Sequence, residues 1–294
     1  MRRAVAGAGG RVTDWQPFPH DGAPYRYDGD ALRDAWPALH AGDREPWPDE
    51  ARVQAVLERH PDAAPEDFDG DVAALAAALQ TAWRAFHAGD FGEAIERGSA
   101  LGPLGHAPAN KAAGIYAHHL ETDEKVQRDL YLAAAERAET AAALLANDAN
   151  SWYFHAFNLG RYSQSISIVK ALRKGIGGKI QSSLEEALRL EPDHAEAHTA
   201  MGLYHAEIVD KVGKMIGAMT YGASADKAVS HFERAVALTP DSPIARIEFG
   251  NGLYMLFGDK LIDRVTELYE QASEMKPRDA MERLDIEAAL AELE

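Results

Sequence analysis

The sequence predicts an all-α fold, a helical-repeat superhelix (α-solenoid), on three observations. The first is a helix–turn–helix unit written between Glu191 and Pro240. It reads Glu191-Pro192-Asp193-His194-Ala195-Glu196-Ala197-His198, then Met201-Gly202-Leu203-Tyr204-His205, then Ala228, Phe232, Ala235 and Pro240, with small residues where two helices touch. The second is that proline or aspartate stops recur at matching places along the chain, as at Pro103, Pro192, Pro240 and Pro277. The third is the alanine-rich run from Asp123 to Ala146, a composition that favours helix strongly. A unit of this kind buries its apolar face only by stacking on neighbours, so one unit implies an array.

The spacing of these positions is that of the tetratricopeptide repeat (TPR). Residues 1 to about 70 stand apart as an aromatic and proline-rich extension with Trp15, Phe18, Tyr25, Tyr27, Trp36-Pro37 and Trp47-Pro48. Proline breaks long helices, so short helices are expected near 30–40 and 49–59. Buried aromatics dominate packing energetics, and the extension is expected to dock on the array that follows. Residues 71–294 form the TPR-like domain. Repeat one runs from Asp71 to Ala88, turns at Gly89-Asp90-Phe91 and ends at Leu101-Gly102-Pro103. Repeat two places Ala112, Gly114, Tyr116, His118 and His119 on its first helix and the Asp123–Ala146 run on its second. Repeat three opens at Asn150-Ser151-Trp152-Tyr153 and closes at Leu190-Glu191-Pro192.

Repeat four is the unit quoted above. Its Asp193 and Glu196, three residues apart before an apolar run, suggest a capping box. Repeat five opens at Asp241-Ser242-Pro243, where Ser242 suits the N-cap and Pro243 the first helical position. Its second helix carries Val265, Tyr269 and Ala272. Residues 278–294 then read as an acidic C-terminal capping helix.

Repeats three and four depart from the plain spacing. The last core position of a first helix and the first of a second helix are normally about nine residues apart. Here Leu159 and Ile180 are 21 apart, and His205 and Ala228 are 23 apart. Each repeat therefore carries an insertion of about a dozen residues, and the two insertions are expected side by side. No acidic residue occurs from Arg161 to Ser183, where Lys170, Arg173, Lys174 and Lys179 accompany Ile166, Ile168, Val169, Leu172 and Ile176. The second insertion sets Lys211 and Lys214 beside Val212, Met215, Ile216, Met219 and Tyr221. A basic, apolar patch on an acidic chain invites an anionic and partly apolar partner.

The region from about 150 to 258 resembles the regulator of microtubule dynamics protein family. The residues that carry the likeness are Trp152-Tyr153, Gly178 and Ile180, then Leu184, Ala187, Leu188, Leu190 and Pro192. Gly202 follows, then the long spacer to Tyr221-Gly222-Ala223-Ser224, and Ala228, Phe232, Ala235 and Pro240. The insertion lengths carry more of it than the repeat positions, which any TPR protein shares. The resemblance implies a TPR-like helical domain with adaptor-type roles; animal members are associated with microtubules and mitochondrial membranes. An acidic chain is a poor match for acidic tubulin, so the fold is carried over and the microtubule role is not.

Composition narrows the function classes. The 294 residues carry a net charge of -17, opposite to the basic surface that nonspecific nucleic-acid binding needs. The chain contains no cysteine, which excludes disulfides, thiolate metal sites and cysteine nucleophiles. No apolar run reaches the 18 or so residues of a membrane helix. The basic start, Met1-Arg2-Arg3, lacks the apolar core of a signal peptide. A cytoplasmic protein with no membrane span is expected.

Few constellations carry chemistry. Gly175-Ile176-Gly177-Gly178-Lys179 is not a phosphate loop, because Ile180 follows the lysine and no strand precedes it. It does open a helix, whose N-terminus favours anions. Gly7-Ala8-Gly9-Gly10 reads as a flexible terminus. His118, His119, His155, His194, His198 and His205 fall on first helices, and His194 and His198 share a face. His155, His198 and His205 occupy the repeat's own packing positions, and no His-Glu-x-x-His motif is present. No metal, cofactor or catalytic residue is assigned.

The expected function is a non-catalytic TPR scaffold that holds a protein or peptide segment in its concave groove. Tyr116, His119, Tyr153, Asn158, Tyr204 and Asn251 are the candidate groove contacts by helix position. The alternative is a carrier or sensor of an amphipathic anionic ligand such as a lipid. There the insertions close over an apolar pocket, and Lys170, Arg173, Lys174 and Lys179 meet the headgroup.

Overall fold

Polar side chains start most of the helices. Asp71, Asp123, Asp148, Ser224, Ser242 and Asp279 each accept a hydrogen bond from a backbone N–H in the first turn. In the computed structural model, residues 15–294 are described, apart from the side chains of Ile168, Val169 and Leu172. The glycine-rich segment at residues 7–10 and the apolar character assigned to those three side chains lie outside the described residues.

Among the described residues there is no strand. Helices α1 (Ala31–Leu39) and α2 (Glu50–Arg59) belong to the N-terminal extension. The repeats pair α3 (Val72–Ala88) with α4 (Phe91–Ala100) and α5 (His106–His119) with α6 (Glu124–Leu144). They go on to pair α7 (Ala149–Gln164) with α9 (Ile176–Leu190), α10 (Ala195–Val212) with α12 (Ala225–Leu238), and α13 (Pro243–Phe257) with α14 (Ile262–Ser273). The two insertions contain α8 (Ile168–Arg173) and α11 (Lys214–Tyr221), and α15 (Ala280–Leu293) closes the chain.

Each second helix packs on the first helix of the next repeat, and successive first helices touch. That stacking generates a superhelix. Small residues permit the close approaches. A Cβ on Gly202 would lie 2.8 Å from the Phe232 ring, and one on Gly252 would lie 2.3 Å from it. Phe232 itself is fully buried and stacks on Phe249 at 5.3 Å. The superhelix also curls back on itself: α15 packs on α14 and α13 and reaches α3 in the first repeat.

The capping box suggested by Asp193 and Glu196 does not form. The imidazole Nδ1 of His194, one residue later, accepts from the Ala197 N–H at 3.0 Å and caps α10. Asp193 instead pairs with Arg234, and Glu196 turns to Lys111. A distant cation outcompetes the local backbone donor for Glu196, because a buried charge-assisted bond is the stronger one.

Candidate functional site

The inward face is built from the first helices, and two segments of the chain's own lie across it. The first is the N-terminal extension. Trp15 packs edge-on against the Tyr116 ring of α5 at 4.9 Å. Trp36 meets Trp83 of α3 at 5.7 Å, and its indole N–H donates to the Glu45 carbonyl at 2.8 Å. The loop after α1 then reaches α5, α7 and α10 in turn. Lys111 donates to Asp43 at 2.6 Å and to Glu196 at 2.8 Å. Asn150 donates to Glu45 at 2.5 Å, and the Glu196 N–H donates to the Gly42 carbonyl at 3.0 Å.

The second segment is α15 with Arg278 and Asp279 just before it. Tyr27 donates to the Arg278 carbonyl at 2.6 Å, and His119 to Asp285 at 3.2 Å. Two imidazoles link the segments. His40 donates through Nδ1 to Asp43 at 2.9 Å, and His87 through Nδ1 to Asp279 at 2.8 Å. Their Nε2 atoms face each other at 3.3 Å, so a hydrogen bond between them needs one shared proton.

Burial sets the charge states here. Burial alone would lower the Lys111 pKa, but Asp43 and Glu196 hold it above its ordinary value. Burial alone would raise the Asp43 carboxyl, but His40 and Lys111 hold it well below the usual carboxylate range. Glu196 is pushed up, chiefly by burial, beyond what Lys111 offsets. His40 and His194 are each lowered to about 4, burial being the main cause.

What the two segments leave open is a cavity of about 260 Å³. Its walls are mainly apolar: Ile115 from α5, Phe157 from α7, Ile180 and Leu184 from α9, Leu203 from α10 and Ile244 from α13. Its deep end carries Lys111, Tyr153 and Asp285, all buried. Exposed Gln164 and Lys211 mark where it meets solvent, next to Ile166 and Ala171 of the first insertion and Tyr221 of the second. The insertions adjoin one another, because a Cβ on Gly177 would sit 3.6 Å from the Tyr221 ring and 3.9 Å from Ile208. Arg161 on the wall donates to Glu248 at 2.8 Å. Asp285 has one buried oxygen with no hydrogen-bond partner, and burial raises its pKa.

The residues singled out from the sequence are distributed unevenly. Tyr153 and Tyr204 line the cavity, and the Tyr204 hydroxyl donates to Gln181 at 3.0 Å. Tyr116 is fully buried under Trp15 and accepts the Gln16 N–H at 3.0 Å. Asn158 is fully buried and donates to the Phe154 carbonyl at 3.0 Å. His119 faces Asp285 as described, and Asn251 donates to Glu248 at 2.9 Å. Lys170, Arg173, Lys174 and Lys179 are exposed and none lines the cavity. Lys174 lies 5.3 Å over the Tyr162 ring, and Lys179 pairs with Glu139 at 3.2 Å.

The histidines divide between partners. His155 bonds Ser183 at 2.8 Å, His194 donates to Asn150 at 2.9 Å, and His198 bonds His231 at 2.8 Å. Among the described residues, no group of three or more His, Asp or Glu is placed to hold a metal ion.

Sequence reading passed over Lys111, Asp43 and Asp285. One signal was available, since Lys111 stands amid Ala107, Ala109, Ala112, Ala113 and Gly114 in the small-residue stretch of α5. A lysine on such a close-packed face needs a buried partner.

Comparison with known proteins supports the fold. The crystal structure of a thermophilic TPR protein from Thermus thermophilus superposes with a TM-score of 0.52 at 18% identity, covering 74% of this chain and 99% of that one. No curated protein matches the chain. No helix among the described residues is long and apolar enough to cross a membrane. The family model for regulator of microtubule dynamics protein 1-3 matches residues 109–283, from α5 into α15, and the chain belongs to that family.

Proposed function

We propose that the protein is a non-catalytic TPR-type binding module whose ligand is amphipathic, with an apolar chain in the cavity and an anionic head at the basic insertions. The observation that carries this reading is the cavity itself. Most of its exposed lining is apolar, and it opens beside both insertions. That is the usual make-up of a site for a small, largely apolar molecule. The cations on its wall are already paired, Lys111 with Asp43 and Glu196, Arg161 with Glu248 and Lys211 with Glu207. An anionic head is therefore assigned to Lys170, Arg173 and Lys174, which are exposed and lie in sequence next to the lining residue Ala171. The peptide-scaffold reading uses the same inward face, but a peptide must displace the extension or α15 to lie along it.

The test is native mass spectrometry of the protein as purified, with identification of what it releases. A stoichiometric lipid-sized adduct, lost in Ala200→Trp (which fills the cavity from the α10 wall), supports the proposal. Charge reversal at Lys170, Arg173, Lys174 and Lys179 together should release it without unfolding the chain. A bare polypeptide mass, with no uptake of added phospholipid or fatty acid, returns the protein to the peptide-scaffold reading.

A further inference from the structure

The three most exposed large apolar side chains among the described residues lie on one short helix. On α11, Met215 is 76% exposed, Ile216 56% and Met219 83%. Spaced i, i+1 and i+4, they share one face of the helix. The opposite side is anchored: Gly217 is buried, and a Cβ there would meet Ile208 at 3.3 Å. Gly213 (φ 84°) and Gly222 (φ 61°) bracket the helix in backbone conformations that glycine takes readily and other residues rarely do. They let α11 leave the line of α10 and present its apolar face outward.

Charge surrounds this face selectively. The chain is net acidic at -17, yet no Asp or Glu occurs from Lys211 to Ser224 or from Arg161 to Ser183. Lys170, Arg173, Lys174 and Lys214 are exposed and have no carboxylate partner among the described residues. The two insertions touch at Gly177 and Tyr221, which brings the basic insertion beside the one that carries α11.

We propose that this surface docks the protein on an anionic membrane, with Met215, Ile216 and Met219 entering the headgroup boundary and the lysines and arginine meeting acidic lipid heads. Area and charge choose a membrane over a protein partner. A stable protein interface buries about 800 Å² on each side, far more than three side chains offer. An interfacial helix needs only a small apolar face flanked by basic residues. Docking stands on the α11 face and not on occupancy of the cavity, though it would bring the cavity mouth to the source of a lipid-like ligand.

The experiment is co-sedimentation of the full chain with phosphatidylcholine vesicles, with or without about a third phosphatidylserine. Wild type should bind the acidic vesicles about tenfold better than the neutral ones, and high salt should weaken that binding. Met215→Asp with Met219→Asp should lose the binding about tenfold while melting like wild type, because both side chains are exposed. Ala200→Trp should keep vesicle binding even where it loses a cavity ligand, which separates this proposal from the preceding one. Wild type that ignores acidic vesicles at low salt overturns it, as does a double variant that binds unchanged. A concentration-dependent dimer abolished by Met219→Asp, with no vesicle binding, assigns the face to a second copy instead.

Discussion

Replacing Lys111 by Met tests whether buried charge holds the N-terminal extension on the array. The lysine Nζ lies 2.6 Å from Asp43 and 2.8 Å from Glu196, and its side chain is 4% exposed. Met keeps most of the volume, so packing is little changed and the loss is electrostatic. Glu196 can take up a proton at modest cost, since burial already raises its pKa. Asp43 cannot do so as readily. Its side chain is 0% exposed, and its remaining partners are His40 at 2.9 Å and the Glu45 N–H at 3.2 Å. Breaking one partner out of a buried pair costs about 3–5 kcal/mol, and the lower end applies because two partners stay. At about 2–4 °C per kcal/mol for a chain of this size, the melting temperature should fall by roughly 10 °C.

The assay is urea unfolding of wild type, Lys111→Met, Asp43→Asn and the double variant. The single lysine variant should lower the midpoint with little change in slope, and the cycle should show a coupling above about 1 kcal/mol. Limited proteolysis should also cut the loop at 40–48 sooner in Lys111→Met. A lysine variant within about 0.5 kcal/mol of wild type, with no coupling to Asp43, would refute the reasoning.

Acid should destabilise the fold early. His40 and His194 are buried with pKa values lowered to about 4 from an ordinary 6.5. Between those values the unfolded chain binds the protons that the folded one refuses, so stability falls as pH drops from 6.5 to about 4. Each contributes about 3 kcal/mol of that fall. Asp43 has a depressed pKa, so its contribution is present above the ordinary carboxylate value and is lost as pH falls below it. Urea midpoints measured from pH 7 to pH 4 should decline across the window, and His194→Gln should flatten the curve. Phe232→Ala should cost about 3–5 kcal/mol by calorimetry, because the ring is fully buried between α10 and α13. Gly252→Ala should cost about 1–3 kcal/mol by the same measure, since its Cβ would lie 2.3 Å from that ring.

The repeat array was legible in the sequence because its rules are local. Ser242 and Pro243 start α13 where capping chemistry places them, and the alanine content of α6 favours helix at each position. Counting from Leu159 to Ile180 and from His205 to Ala228 was enough to expose the two insertions, since a missing core position shows in spacing alone. The candidate site was not legible in the same way. Asp43 and Lys111 are 68 residues apart, His87 and Asp279 are 192 apart, and His119 and Asp285 are 166 apart. No periodicity within a helix encodes such pairs. They exist because the superhelix curls until α15 meets α3, and because the extension and α15 then share the inward face with the cavity between them. Helix and repeat were therefore determined by the sequence, through interactions a few residues long, whereas the cap of α10 was not, because distant Lys111 takes Glu196. Which groove stayed open was decided by closure of the array, where a few buried charges chose among surfaces that local patterns leave equivalent.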